Sequence, residues 1–334
     1  MLLGYLWTLA LLAKRGVSMS IFEQIRPEWA ADGRPFIRLS HSTLETVQTC
    51  ERKFQLEKLL QGAPPRQESE HFSFGHAYGT FGALYLLTGG AYEYSLYEGW
   101  LAYWPIIETE KKNQALFLEV AEQSKPVLDK LLEEWEVAEF NDEPAIELSL
   151  RIDVDDVFYY VGYVDVVLKH KTRGTYAVLD FKTTGLTIQD LAPLYKHSGQ
   201  ALGYSIVLDD VAGDQNANEV LYFIGRIGRS PYESTRAELY PFYKTLADRL
   251  RWFTSLLQDV EVLRRCLELN NFPRRVSGCL HFNRPCRFFD TCHLTSVDTY
   301  KKFVQDKADL AGYQFHYDIK DLIGNHMQRL EELS

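Results

Sequence analysis

The chain carries 334 residues, 46% hydrophobic, 13% aromatic and 25% charged. That is the composition of a folded protein with a substantial core, and it excludes a fibrous or low-complexity chain. A net charge of −10 leaves a nucleic-acid partner open, because local charge matters more than the sum. Five cysteines are too few and too clustered for a disulfide scaffold and read as reduced thiols available for metal.

Leu2 to Ala13 is apolar but too short to span a bilayer as a helix, and it lacks a basic leader. Met19 opens an ordinary polar stretch, so residues 1–19 read as an upstream extension and 20–334 as one domain. Within that domain, 38–140 reads as a helical part, 143–230 as an α/β core, and 231–334 as a helical and cysteine-bearing part.

Ile37 to Leu60 has a helical pattern. Ser40 and Ser42 are candidate caps, and Glu45 stands at capping-box spacing from Ser42. Pro64-Pro65 and Arg66 to Glu70 form a loop. A second helix runs from Phe74 to Leu87, stopped by Gly89-Gly90. A long helix is expected over Asn113 to Phe140, with Pro126 breaking or kinking it. The texture then changes to strands over Ile146–Val154, Val157–Leu168 and Tyr176–Thr183. These are joined by a turn at Asp155-Asp156 and a loop at Lys169–Thr175, which makes an antiparallel meander. A helix over Ile188–Leu208 and a strand over Glu219–Arg226 follow, then more helix. This order predicts an α/β sandwich with a mixed central sheet flanked by helices, not a doubly wound fold. No repeat and no glycine-rich phosphate loop is present.

Side chains alternate along a strand, so Ala177, Leu179 and Phe181 share a core-facing side, and Asp180 and Lys182 share the other. At roughly 3.3 Å per residue, Asp180 and Lys182 stand about 6–7 Å apart along the strand. Asp165, within Gly162-Tyr163-Val164-Asp165-Val166-Val167-Leu168, lies on the partner strand. An acid in so apolar a strand is costly unless something binds it. Two carboxylates from paired strands suit a hard divalent cation such as Mg²⁺. Lys182 can then orient or deprotonate a water, or stabilise charge on a phosphate. Each acid alone reads more simply as half of a surface salt bridge; the combination reads as chemistry. Glu147 is either a supporting acid or a solvated one and takes no assigned role.

Cys50 stands alone near the front of the chain, while Cys279, Cys286 and Cys292 crowd near its end, among Gly278, Asn283 and Pro285. Four cysteines suit an iron–sulfur cluster or structural zinc. The paired two-residue spacing of zinc ribbons is missing. Cys266 sits in a helical pattern as a packed thiol. From Arg264 to Arg287 there are six arginines against one acid, Glu268, a local balance of +5. That segment reads as a solvated basic surface or a contact for phosphates.

Gly162-Tyr163-Val164-Asp165 followed by Asp180-Phe181-Lys182-Thr183-Thr184 resembles the core motif of the PD-(D/E)XK nuclease superfamily. More narrowly it resembles the RecB-like exonuclease branch, which includes the AddB nuclease domain and the CRISPR adaptation nucleases. Three further segments are similar to motifs of that branch. Ser40-His41-Ser42-Thr43-Leu44 with Cys50-Glu51-Arg52-Lys53-Phe54 resembles its N-terminal motif. Phe74-Gly75-His76-Ala77-Tyr78-Gly79-Thr80 resembles its histidine motif, and Gln200-Ala201-Leu202-Gly203-Tyr204 its glutamine–tyrosine motif. The resemblance implies a restriction-endonuclease-like core. His76, Asp165, Asp180 and the Phe181 backbone carbonyl would hold Mg²⁺ or Mn²⁺, with Asp165, Asp180 and Lys182 catalytic. Gln200 and Tyr204 would face DNA. Cys50, Cys279, Cys286 and Cys292 would hold a 4Fe–4S cluster joining the N- and C-terminal segments, with zinc as the alternative. The gap between Cys279 and Cys286 is longer than is usual in those relatives.

The function implied is a metal-dependent DNA exonuclease in recombination, repair or phage DNA processing, acting on single-stranded or free-ended DNA. A structure-specific endonuclease and a non-catalytic DNA-binding subunit are the alternatives. A helicase or recombination partner, no membrane, and the cytoplasm of a prokaryotic cell or a phage's host complete the expectation.

Overall fold

The computed structural model describes residues 37–59, 70–102, 110–155, 157–228, 234–269, 271–281 and 284–293. The apolar stretch Leu2–Ala13, Met19 and the Pro64-Pro65 loop lie outside the described residues. The chain divides into two compact units. One gathers the described parts of 1–66, 151–161 and 250–314, the other those of 67–150 and 162–249. Among the described residues no helix is long and apolar enough to cross a membrane.

Where one helix was expected over Ile37–Leu60, the chain forms strand β1 (Ile37–Leu39), helix α1 (His41–Thr49) and helix α2 (Glu51–Phe54), continued by a π-helical turn over Gln55–Leu59. β1 is a strand because it pairs in parallel with Phe158–Tyr160. Ser40 caps α1 by accepting from the Thr43 amide. Cys50 has extended backbone (φ −170°), which separates the two helices.

Helices α3 (Glu70–Leu87), α4 (Tyr92–Leu101) and α5 (Glu110–Glu134) follow. α5 runs unbroken through Pro126, contrary to the expected break. Pro126 and Glu122, four residues earlier, are both exposed, so water satisfies the freed carbonyl. The expected extension of this helix to Phe140 does not form. Trp135–Val137 is strand β2, paired antiparallel with His170–Leu168, and Glu139–Phe140 and Glu143–Pro144 are strands β3 and β4 of a small hairpin. The two residues of its turn, Asn141 and Asp142, have φ of 56° and 64°, as a tight hairpin turn with the right twist requires.

The meander is present as β5 (Ile146–Asp153), β6 (Phe158–His170) and β7 (Tyr176–Thr184). Asp155 makes the first turn by accepting from the amides of Val157 and Phe158 at 2.7 and 2.8 Å. The expected helix over Ile188–Leu208 is two helices, α6 (Ile188–Lys196) and α7 (Gly199–Val207). Ser198 caps the second by accepting from the Ala201 amide. After α8 (Asp209–Ala212) come β8 (Asn216–Arg226) and the unanticipated β9 (Arg236–Tyr243), then α9 (Leu246–Glu268). The sheet order is β1-β6-β7-β8-β9, with β2 and β5 also on β6. β6–β7 and β8–β9 are antiparallel, while β1–β6 and β7–β8 are parallel. The architecture is therefore a mixed α/β fold with a mixed central sheet flanked by helices. One core packs Tyr78, Phe81 and Tyr85 of α3 and Phe117 of α5 on Val166, Leu179, Phe181 and Phe223 of the sheet.

Candidate active site

Phe181 anchors β7 to the core and sets its neighbours on the opposite face. Gly75, Gly79 and Gly82 follow one stripe of α3, and this stripe lies on β7. A Cβ added at Gly75 would stand 3.8 Å from Thr183 Oγ1, one at Gly79 4.0 Å from Phe181 Cβ, and one at Gly82 only 2.2 Å from the Phe181 ring. The glycines let helix and strand approach until the ring fills the groove between them. Its ring packs edge-on to Tyr78 at 6.1 Å and tilted on Phe223 at 5.4 Å.

On the far side of β7, Asp180 and Lys182 meet. Lys182 Nζ lies 2.7 Å from Asp180 Oδ2. The contact is ionic, without hydrogen-bond alignment: neither Asp180 carboxylate oxygen has a hydrogen-bond partner, although the residue is 1% exposed. The register pairs of β6 and β7 end at Val166 and Leu179. Just beyond, Asp165 Oδ2 accepts the Phe181 N–H at 2.9 Å, standing in for a ladder carbonyl. In a strand the N–H and C=O of one residue point to the same edge, so the Phe181 carbonyl also faces the Asp165 side.

Burial pushes the Asp165 carboxyl up, Lys182 opposes it, and Glu147 adds to the rise. Burial also raises Asp180, against the pull of Lys182 and with a further push from Asp165. For Lys182, burial is the largest single influence and acts downward. Asp180 and Asp165 together outweigh it and hold the amine above its ordinary value. Two buried acids share one ammonium, so the site is short of positive charge, and an unpartnered buried carboxylate oxygen points to a missing cation. The donor set, two carboxylates with a backbone carbonyl beside them, is the hard-oxygen kind that suits Mg²⁺ or Mn²⁺.

Two tyrosines that sequence reasoning missed wall this pair. β7 and β8 align Asp180 with Tyr222, whose ring stacks on Tyr195 of α6 at 4.6 Å between centroids. Burial raises both phenols, and both feel the charges of Asp180 and Lys182. Neither had a local signal, because a parallel pairing between distant strands brings them in. His76 is exposed on α3, next to Gly75. Among the described residues no three His, Cys, Asp or Glu side chains converge as a ready ligand shell, which holds for His76 with Asp165 and Asp180 and equally for the four cysteines Cys50, Cys279, Cys286 and Cys292. Gln200 Nε2 donates to the Tyr204 hydroxyl at 2.6 Å, the four-residue spacing placing both on one face of α7. Tyr204 is 5% exposed and packs where Gly162 leaves β6 bare, which makes Gln200 the more accessible of the two.

In the other unit, Cys50, Cys279, Cys286 and Cys292 line one cavity of about 240 Å³, together with Lys53, Arg274 and Phe288. Cys50 Sγ accepts the Arg275 N–H at 3.4 Å, and the Arg275 guanidinium pairs with Glu51. The Arg52 amide donates to the Pro273 carbonyl at 3.1 Å, and Arg52 Nε to the Cys292 carbonyl at 3.3 Å. The N-terminal helices and the cysteine segment are thus tied by direct contacts. Cys266 is a packed thiol, 6% exposed.

The sequence matches the PD-(D/E)XK nuclease superfamily over residues 38–293. The chain belongs to that superfamily. No curated protein matches the chain. Among solved structures, a protein from Eubacterium rectale provisionally named an exonuclease aligns at 10% identity and TM-score 0.45, over 80% of this chain and 98% of that one. The protein SSO0001 aligns at 14% identity and TM-score 0.33, over 73% and 84%.

Proposed function

We propose that this PD-(D/E)XK protein is a Mg²⁺- or Mn²⁺-dependent DNA exonuclease of the RecB-like branch. The observation that carries the proposal is the Asp180 carboxylate, 1% exposed, beside Lys182 and Asp165 and with no hydrogen-bond partner of its own. Asp165, Asp180 and the Phe181 carbonyl would hold the ion, with His76 completing the set. When bound, the ion supplies an activated water and charge for the leaving oxygen. Lys182, held protonated by the two acids, stabilises charge growing on the scissile phosphate. Phe181 N–H fixes the orientation of Asp165. Gln200 presents an amide toward the nucleic acid. Nothing in the sequence supplies a motor, so unwinding falls to a helicase or recombination partner.

We infer further that Cys50, Cys279, Cys286 and Cys292, which line one cavity though no three of them yet converge as a ligand shell, draw together on a 4Fe–4S cluster. Four thiols share the cavity with Lys53 and Arg274, cations that suit an anionic thiolate cluster, and the Arg275 amide already points at one sulfur. Such a cluster closes a long loop between the N- and C-terminal segments and stabilises the unit by removing unfolded-state entropy.

The test uses 5′-labelled, 3′-labelled and circular DNA with Mg²⁺ or Mn²⁺, with wild type and Asp180→Ala. Cutting of linear but not circular DNA that vanishes in the variant supports the reading. Cutting that survives Asp180→Ala, or that takes circles as readily, overturns the exonuclease assignment. Iron and acid-labile sulfide are measured on anaerobically prepared protein; stoichiometric zinc without iron defeats the cluster.

A further inference from the structure

The nuclease reading leaves the two tyrosines beside the acid pair without a task. Asp180 and Tyr222 are register partners across β7 and β8, as are Phe181 and Phe223. Phe181 and Phe223 both enter the core, so Asp180 and Tyr222 share the opposite face of the sheet. Tyr222 is 1% exposed and cannot reach a ligand. Phe242 closes it off edge-on at 6.0 Å, and Tyr195 stacks on it at 4.6 Å with 28° between the planes. Tyr195 is half-buried, so this member of the stack stays open in part. Its neighbours on the last turn of α6 are open too. Leu194 is 66% exposed, and Lys196 and His197 are exposed. An aromatic ring, an aliphatic side chain and two basic groups thus gather at one helix end, next to Asp180.

That helix end is also clamped. Lys244, just after β9, is 2% exposed, although a lysine ordinarily keeps its amine in water. Its Nζ donates to the Tyr195 and Lys196 carbonyls at 3.3 and 2.7 Å, two of the carbonyls that a helix end leaves without partners. The Tyr195 carbonyl also accepts the Ser198 N–H at 3.2 Å. Burial pushes the Lys244 amine down to about 8, against Asp248, so its placement is costly. Water could satisfy the same carbonyls at an exposed helix end; a buried ammonium fixes them in place. A half-open ring, stacked on a buried partner and with its backbone clamped, is a platform for a flat ligand, and the flat part of a nucleic acid is its base. The basic groups beside it suit the neighbouring phosphates. We propose that Tyr195 is the stacking platform for an unpaired base of the DNA strand entering the site, and that Lys244 is the positioning residue that fixes it. The inference rests on the nuclease reading of the same site. A base held in a duplex cannot lie on the ring, so the platform serves single-stranded ends.

Initial rates with Mg²⁺ are measured on a single strand and on the same strand with the terminal bases removed at both ends. The proteins are wild type, Tyr195→Phe, Tyr195→Ala, Lys244→Met and the Tyr195→Ala, Lys244→Met double variant, each with a melting curve. Tyr195→Ala should lower kcat/KM on the ordinary strand about 5- to 150-fold, the scale of one base–aromatic stack, and Tyr195→Phe should stay near wild type. On the abasic strand, wild type and Tyr195→Ala should cut alike. Lys244→Met should show the same base-dependent loss, and adding it to Tyr195→Ala should cost little more. Lys244→Gln, whose amide can still donate to one carbonyl, should recover part of that loss, and it serves if the methionine variant melts too low to assay. Lys244 variants that slow both strands equally overturn the positioning role. A second readout needs no turnover: 2-aminopurine at the strand ends should lose fluorescence on binding wild type without divalent ion, and lose less with Tyr195→Ala. Wild-type rates in Tyr195→Ala on the ordinary strand, or equal losses on both strands, overturn the platform. Wild type that cuts neither strand overturns the nuclease reading, and this inference with it.

Discussion

α3 approaches β7 most closely at Gly82, and two glycines one turn apart on that helix should respond to alanine with opposite signs. A Cβ at Gly82 would stand 2.2, 2.4 and 3.0 Å from three carbons of the Phe181 ring, where carbon atoms prefer about 3.5–4.0 Å. The ring cannot swing away, because Tyr78 and Phe223, both fully buried, hold it on two sides. Overpacking of this kind costs about 1–3 kcal/mol. Alanine regains about 1 kcal/mol of helix propensity over glycine, so Gly82→Ala should destabilise by up to about 2 kcal/mol. In a protein of this size each kcal/mol lowers the melting temperature by about 2–4 °C. At Gly79 the added Cβ meets Phe181 Cβ at 4.0 Å, an ordinary contact, so Gly79→Ala should keep the propensity gain and stabilise by about 0.5–1 kcal/mol. Nuclease activity gives a second readout. Phe181 lies between Asp180 and Lys182, and its amide holds Asp165. A displaced ring should therefore lower kcat/KM of Gly82→Ala by more than its lost stability explains, while Gly79→Ala stays near wild type. Thermal melts and initial rates on labelled DNA measure both. If the two variants shift the melting temperature in the same direction, the contact does not set the position of β7 and the reasoning fails.

Two other perturbations follow from buried charge. Asp165 and Asp180 have folded-state pKa values above those of the unfolded chain, so between about pH 4 and neutrality the native state binds more protons than the unfolded one. Ion-free protein should accordingly lose stability as pH rises through that window, and divalent cations should bind more tightly with rising pH and release protons. Melting curves and calorimetry in buffers of different ionisation enthalpy check both, and ion binding without proton release would refute the raised carboxyls. In the other unit, Arg264 pairs with Asp155 at side-chain exposures of 6% and 4%. Arg264→Met leaves the buried carboxylate without its cation, with only the Val157 and Phe158 amides to hold it, and should cost about 3–5 kcal/mol in a denaturant melt, most of which Asp155→Asn added to it should restore.

What the sequence made legible was local. The alternation of Ala177, Leu179 and Phe181 against Asp180 and Lys182 fixes both faces of β7 without knowledge of any neighbour, and the four-residue spacing of Gln200 and Tyr204 brings those side chains together. Errors arose where a distant partner or a capping residue decided the matter. Trp135 continues the apolar rhythm of Leu128 and Leu131, so the helix seemed to run on, yet pairing with His170 turns it into a strand. His197 ends one helix and Ser198 caps the next, which apolar periodicity across Ile188–Leu208 conceals. β9 contains Pro241, a poor residue for an internal strand, tolerated because β9 is the last in the sheet order and, among the described residues, pairs on one side alone.

The same distinction explains which site residues could be found. Asp165, Asp180 and Lys182 sit on strands joined by a short loop, and proximity along the chain carries them into proximity in space. Tyr222 reaches Asp180 only through a parallel pairing, after three helices have intervened, so no window of sequence contains both.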